Sequence, residues 1–153
     1  MEREDDVREI KFRAWYNNGE LLPVDTIFYR DNKPFVYLKK DGKIFGQGKC
    51  DVIIEQFTGL YDKNGKEIYE GDIARILYTD WPSKSENDSR TIAQYMIDIS
   101  AVGIVMYKND EAAFMIEFGE GIYGEPEYGD FDCAPHGELE IIGNIHETSE
   151  LIP

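Results

Sequence analysis

Apolar and polar positions alternate in short runs along most of this chain, and turn-forming residues separate the runs. In residues 10–16, Ile10, Phe12, Ala14 and Tyr16 fall on one face of a strand that Asn17-Asn18-Gly19 ends. Residues 24–29 and 34–38 read as two further strands, with 30–33 as the turn between them. Asp41-Gly42 marks a hairpin between Leu38 and Ile44-Phe45, Gly46-Gln47-Gly48 reads as loop, and 52–57 reads as a strand. The most informative stretch is 58–76, TGLYDKNGKEIYEGDIARI. Asn64-Gly65 predicts a type I′ turn, which needs φ > 0 at both central residues. Gly71-Asp72 predicts a second bend. In the strand after it, Ile73, Arg75 and Leu77 alternate with Ala74, Ile76 and Tyr78, so both faces carry apolar groups.

After Tyr78 the pattern breaks. Residues 80–90 (DWPSKSENDSR) read as a polar loop, and 91–99 fit both helical spacing and alternation, with the extended form preferred. Residues 102–107 and 112–118 form a hairpin turned at Asn109-Asp110. Residues 119–137 read as a long loop containing Gly and Pro, 138–142 as a last strand, and 148–151 as one helical turn. Short strands, frequent turns and little helix predict an all-β class. A small barrel with additional N-terminal strands and hairpins is expected, because closure removes exposed sheet edges. The expected organisation is a flexible tail at 1–6, a strand region at 7–57 and a barrel region at 58–153, the last two able to form one compact unit.

Composition narrows the class. The chain has 153 residues and ten Tyr, enough for a real core without disulfides and too aromatic for disorder. No apolar run approaches the roughly 18 residues of a membrane helix, so no membrane partner is expected. The acidic MEREDD start lacks a secretory pattern, and two cysteines, Cys50 and Cys133, suit a reducing compartment; the cytoplasm is expected.

Charge adds polarity. The net charge is −15, but residues 7–66 hold eleven bases against eight acids. Residues 109–153 hold twelve acids and neither Lys nor Arg. Such an acidic part repels phosphate, which disfavours direct nucleic-acid binding even though Lys39, Lys40, Lys43 and Lys49 cluster near one hairpin.

Candidate chemistries fail one at a time. Gly119-Glu120-Gly121-Ile122-Tyr123-Gly124 spells a dinucleotide fingerprint, yet Glu125-Pro126-Glu127 follows where a helix N-terminus is needed. Asp62-Lys63-Asn64-Gly65 begins like a calcium loop, but Lys66, Glu67 and Ile73 stand at the later ligand and glycine positions. Cys133 and His136 have one metal-ligand spacing, whereas a structural zinc site needs four ligands. Asp130 and Asp132, with Glu125 or Glu127, are weak candidates for a hard cation. No nucleophile elbow, zinc-protease motif or phosphate loop occurs. No catalytic residue and no cofactor are assigned, and enzyme activity ranks below binding.

Three blocks carry a family resemblance: Arg8 to Trp15 (REIKFRAW), Gln56 to Ile76 (QFTGLYDKNGKEIYEGDIARI) and Ile141 to Ile152 (IIGNIHETSELI), with a weaker one at Gly103 to Phe114. Together they resemble the YopX-like family of phage and prophage proteins. The resemblance implies a β-rich fold with a part similar to an SH3-type barrel, with Asn64, Gly65, Gly71 and Asp72 as its defining turns. The chain departs from the family's pattern at Tyr16, His146 and Thr148-Ser149. The family supplies no catalytic set.

The function expected from all this is that of a phage accessory protein, a non-catalytic module that binds a protein partner or self-associates. Its expected surface is the acidic set Glu120, Glu125, Glu127, Asp130 and Asp132. The alternative is an acidic DNA mimic or nucleic-acid-related regulator, and a carboxylate- or metal-dependent enzyme ranks last.

Overall fold

The structure is a computed structural model and describes residues 9–16, 19–48, 52–78, 101–120, 126–130 and 137–151. These residues form an all-β protein in which every pairing is antiparallel. The strands are β1 Phe12–Tyr16, β2 Glu20–Arg30, β3 Lys33–Lys40, β4 Lys43–Gly48, β5 Val52–Tyr61, β6 Glu67–Tyr69, β7 Asp72–Tyr78, β8 Ala101–Lys108, β9 Ala113–Glu120, β10 Pro126–Asp130 and β11 Gly137–Asn144. A 3-10 turn spans Ser149–Leu151. By compactness the chain divides into two units at Leu60 and Tyr61.

In the first unit the strand order is β4-β3-β2-β1-β5. β2 serves two partners: Glu20 to Pro23 pair with β1, and Val24 to Arg30 pair with β3. A register shift between Val24 and Thr26 lies at the start of the second stretch, and such a bulge bends a strand. The residues buried on one side form a single cluster of Ala14, Leu22, Val36 and Leu38, with Tyr16, Val24, Ile27, Phe45, Val52 and Ile54 packed around it. Two tight turns fix the β2–β3 and β3–β4 hairpins. Asp31 and Asn32 have φ of 51° and 57°, and Asp41 and Gly42 have 51° and 73°, the paired left-handed residues of type I′ turns.

The second sheet runs β10-β9-β8-β7-β11. Its strand β7 pairs with β8 on one side and β11 on the other, and Ile73 and Ala74 of β7 are both fully buried although successive side chains point to opposite faces. Ile68, Ala74, Ile76, Val105, Ile116 and Ile141 make its core, with Phe118 and Leu139 against it. Gly103 pairs with Ala74, and a Cβ there would lie 2.5 Å from Ile116 Cγ2 and 2.6 Å from the Glu117 carbonyl oxygen. The absence of a side chain at Gly103 therefore sets how closely β9 lies against β8.

Four expectations change. Closure into an SH3-type barrel is not confirmed, since the sheets of the described residues are not closed and both strand orders are open. Gly46-Gln47-Gly48 is not loop but the end of β4, held in register opposite Phe35 to Tyr37. The stretch 119–137 contains β10, whose Gly and Pro suit an edge strand, and among the described residues it pairs with β9 alone. Asn64-Gly65 is a turn, but not of type I′, since Gly65 alone is left-handed, at φ 78°. The expected tail at 1–6, the polar loop at 80–90 and the ambiguous 91–99 lie outside the described residues.

Gly103→Ala is expected to lower the unfolding free energy by about 1–3 kcal/mol, the usual cost of overpacking a filled core. Urea unfolding measures it, and an unchanged midpoint would contradict the close packing of β8 on β9.

Candidate functional site

The densest polar construction lies in the second unit, around the two bends of residues 62–72. Asp62 is 7% exposed. Its Oδ1 accepts the N–H groups of Asn64 at 2.8 Å and Lys66 at 2.9 Å, and its Oδ2 accepts the N–H of Ile141 at 3.1 Å. The Gly65 N–H donates to the Asp62 carbonyl at 2.9 Å, and the Asp62 N–H donates to the Lys66 carbonyl at 2.8 Å. That pattern is a three-residue hairpin loop closed by a left-handed glycine. The carboxylate selects it over type I′ by taking the N–H of Asn64 for itself. Burial alone would push the Asp62 carboxyl up, but the N–H donors of Ile141, Lys66 and Asn64 outweigh it and hold the group below its ordinary range.

The second bend is built the same way. Asp72 is buried, and its Oδ2 accepts the Tyr69 N–H at 2.8 Å. Gly71, at φ 76°, donates its N–H to Val105 and accepts the N–H of Ile145 at its carbonyl. Opposite Asp72 stands Asn144, whose Oδ1 accepts the N–H groups of His146 and Glu147 while Nδ2 donates to Glu147. Thr148 hydroxyl bonds tie the same loop to Asn144, and a Cβ on Gly143 would collide with that hydroxyl. Asp62, Asp72 and Asn144 thus spend these bonds largely on main-chain N–H groups, which is an architectural use of polar side chains.

The expected acidic surface is only partly placed. Glu120 ends β9, and Glu127 and Asp130 stand on β10, in register with Phe118 and Met115. Glu125, Asp132, Cys133 and His136 lie outside the described residues. Among the described residues no three His, Cys, Asp or Glu side chains converge as a metal site needs, and no helix is long and apolar enough to cross a membrane.

A different surface stands out in the first unit. Strand alternation that turns Val36 and Leu38 into the core turns Phe35, Tyr37 and Lys39 to the other face of β3. Phe28 lies between two rings, 5.3 Å from Phe35 and 5.6 Å from Tyr37, with interplanar angles of 20° and 22°. Tyr37 lies across Gly46 of β4, where a Cβ would come within 2.6 Å of Cε1. Tyr37 is 39% exposed, and Ile44, in register with Lys39, is 55% exposed. Arg30, Lys33 and Lys39 each stand two residues from a ring of this ladder and so share its face. Among the described residues no ion pair engages these three, whereas Lys40 is bound to Glu20 at 2.6 Å. Asp31 and Asp41 of this region sit in its turns. Reading the strands one at a time misses this surface. Its signal is the alternating cation-ring pattern in Phe28–Arg30, Lys33–Phe35 and Tyr37–Lys39, seen only when the hairpins are put in register.

The first unit also holds a part-buried ion pair. Arg13 Nε donates to Glu55 Oε2 at 2.7 Å, between residues paired across β1 and β5.

Comparison with known proteins supplies a context. The family described as "YopX protein" matches residues 11–153. A crystal structure of protein EF1440 from Enterococcus faecalis is similar at 27% identity and a TM-score of 0.54, over 95% of this chain and 99% of that one. No curated protein matches.

Asp62→Asn is expected to cost about 1–3 kcal/mol at neutral pH, since its amide NH₂ would face a main-chain donor. The folded carboxyl titrates below its unfolded value of about 3.9. Its contribution is therefore complete above that pH and is lost as pH falls through the lower folded value. Denaturant unfolding from neutral pH down to about pH 2 should show a steeper acid decline in the wild type than in Asp62→Asn. Parallel declines would contradict the assignment.

Proposed function

The chain belongs to the YopX protein family, and on that premise we propose that it is a phage-type, non-catalytic binding module that works in the cytoplasm. The contact surface that carries this reading is the outer face of the β2–β3–β4 arm. The observation that carries the reading is the ladder of Phe35, Phe28 and Tyr37, stacked on a sheet face and flanked by Arg30, Lys33 and Lys39. Stacked pairs contribute about 0.5–1.5 kcal/mol beyond the area they bury, which favours this arrangement of the rings. Aromatic side chains and arginine are enriched among the residues that carry binding energy at protein interfaces. The main-chain bonds of Asp62, Asp72 and Asn144 support the non-catalytic part of the reading, because those side chains are already committed to backbone donors.

Phe35→Ser with Tyr37→Ser is expected to abolish retention of the partner that immobilised wild-type protein captures from extracts of its host cell. Far-ultraviolet circular dichroism checks that the variant is folded. Equal retention by folded variant and wild type would contradict the reading.

A further inference from the structure

We propose that the partner of this arm is the acidic second unit of another copy of the chain, so that copies join head to tail. This rests on the arm being the contact surface and names what occupies it. The face offers three stacked rings, Phe28, Phe35 and Tyr37, and three cations, Arg30, Lys33 and Lys39. Residues 24–48 as a whole carry five bases and three acids, whereas residues 109–153 carry twelve acids and no Lys or Arg. Opposite potentials of this kind orient an encounter and reject the wrong register. The strands concerned also suit one another. Among the described residues β4 and β10 are both sheet edges, and β10 brings Glu127 and Asp130. An edge presents unpaired main-chain N–H and C=O groups to an incoming strand.

Because the two surfaces differ, the contact is heterologous: each copy uses its arm on one neighbour and its acidic unit on another. A single-stranded nucleic acid would meet the same rings and cations. It would also meet the repulsion of a chain with net charge −15, and the acidic unit of every neighbouring copy would compete with it.

Sedimentation velocity tests this with the full chain. In about 20 mM salt, where the Debye length exceeds about 20 Å, the average mass of wild type should rise with protein concentration. In about 500 mM salt it should return to that of the monomer. Lys33→Glu with Lys39→Glu, at exposed positions, should weaken self-association at least about tenfold. Mixed with wild type, this variant should shorten the assemblies, since its acidic unit still docks while its arm does not. Tyr37→Ala should weaken association at unchanged charge. Wild type that stays monomeric in low salt overturns the proposal, as do variants that associate as wild type does. So does tight low-salt binding of an oligothymidylate that the Lys33→Glu, Lys39→Glu variant loses. If association fails while ring substitutions still abolish capture of a different protein, the head-to-tail contact is wrong and the arm stands as the contact surface.

Discussion

One buried carboxylate organises the second unit. Asp62 binds the turn that follows it and the main chain of Ile141, 79 residues further along. The Lys63 N–H, donating to Leu139, reinforces the same junction. A buried carboxylate without enough donors would cost several kcal/mol. Here three N–H groups meet it, and each is a main-chain donor that would otherwise need a partner of its own. The bend at Gly71-Asp72 repeats the device one strand later and ties β8 and the residues after β11 to the start of β7. Chemistry at these acids would have to break bonds that hold the sheet.

That commitment moves recognition elsewhere, and the first unit shows where. Its core lies on one side of a strand pair bent at the Val24–Thr26 bulge. The alternation that fills this core with Val36 and Leu38 leaves Phe35 half-buried and Tyr37 exposed on the other face. Rings that stay partly exposed on a sheet face contribute less to folding than core packing does, and exposed apolar surface marks interaction sites. Gly46 fits the same picture, since any side chain there would push Tyr37 off β4.

Most strands were legible from alternation, and the turns at 30–33 and Asp41-Gly42 were legible because few residues tolerate the conformations they need. The turn at Asn64-Gly65 was legible in position but not in type: the deciding group, Asp62, precedes the pair and acts partly through Ile141, far along the chain. β10 was hidden by its Gly and Pro, which an edge strand tolerates and a central one does not. Barrel closure was an inference from edge avoidance, and the described sheets keep their edges. The acidic surface was read from composition, which reports charge but not position. The aromatic face needed strand register, which no single run of residues contains.

Hydrogen exchange read by mass spectrometry tests the division of labour between the two units most directly. Concentrated protein in low salt is compared with dilute protein in high salt. If the arm is the contact surface, amides of residues 28–46 gain protection in the first condition, while those of residues 62–76 stay equally slow in both. No gain in the arm, with changes confined to residues 62–76, would contradict that division and return the function to the buried carboxylates.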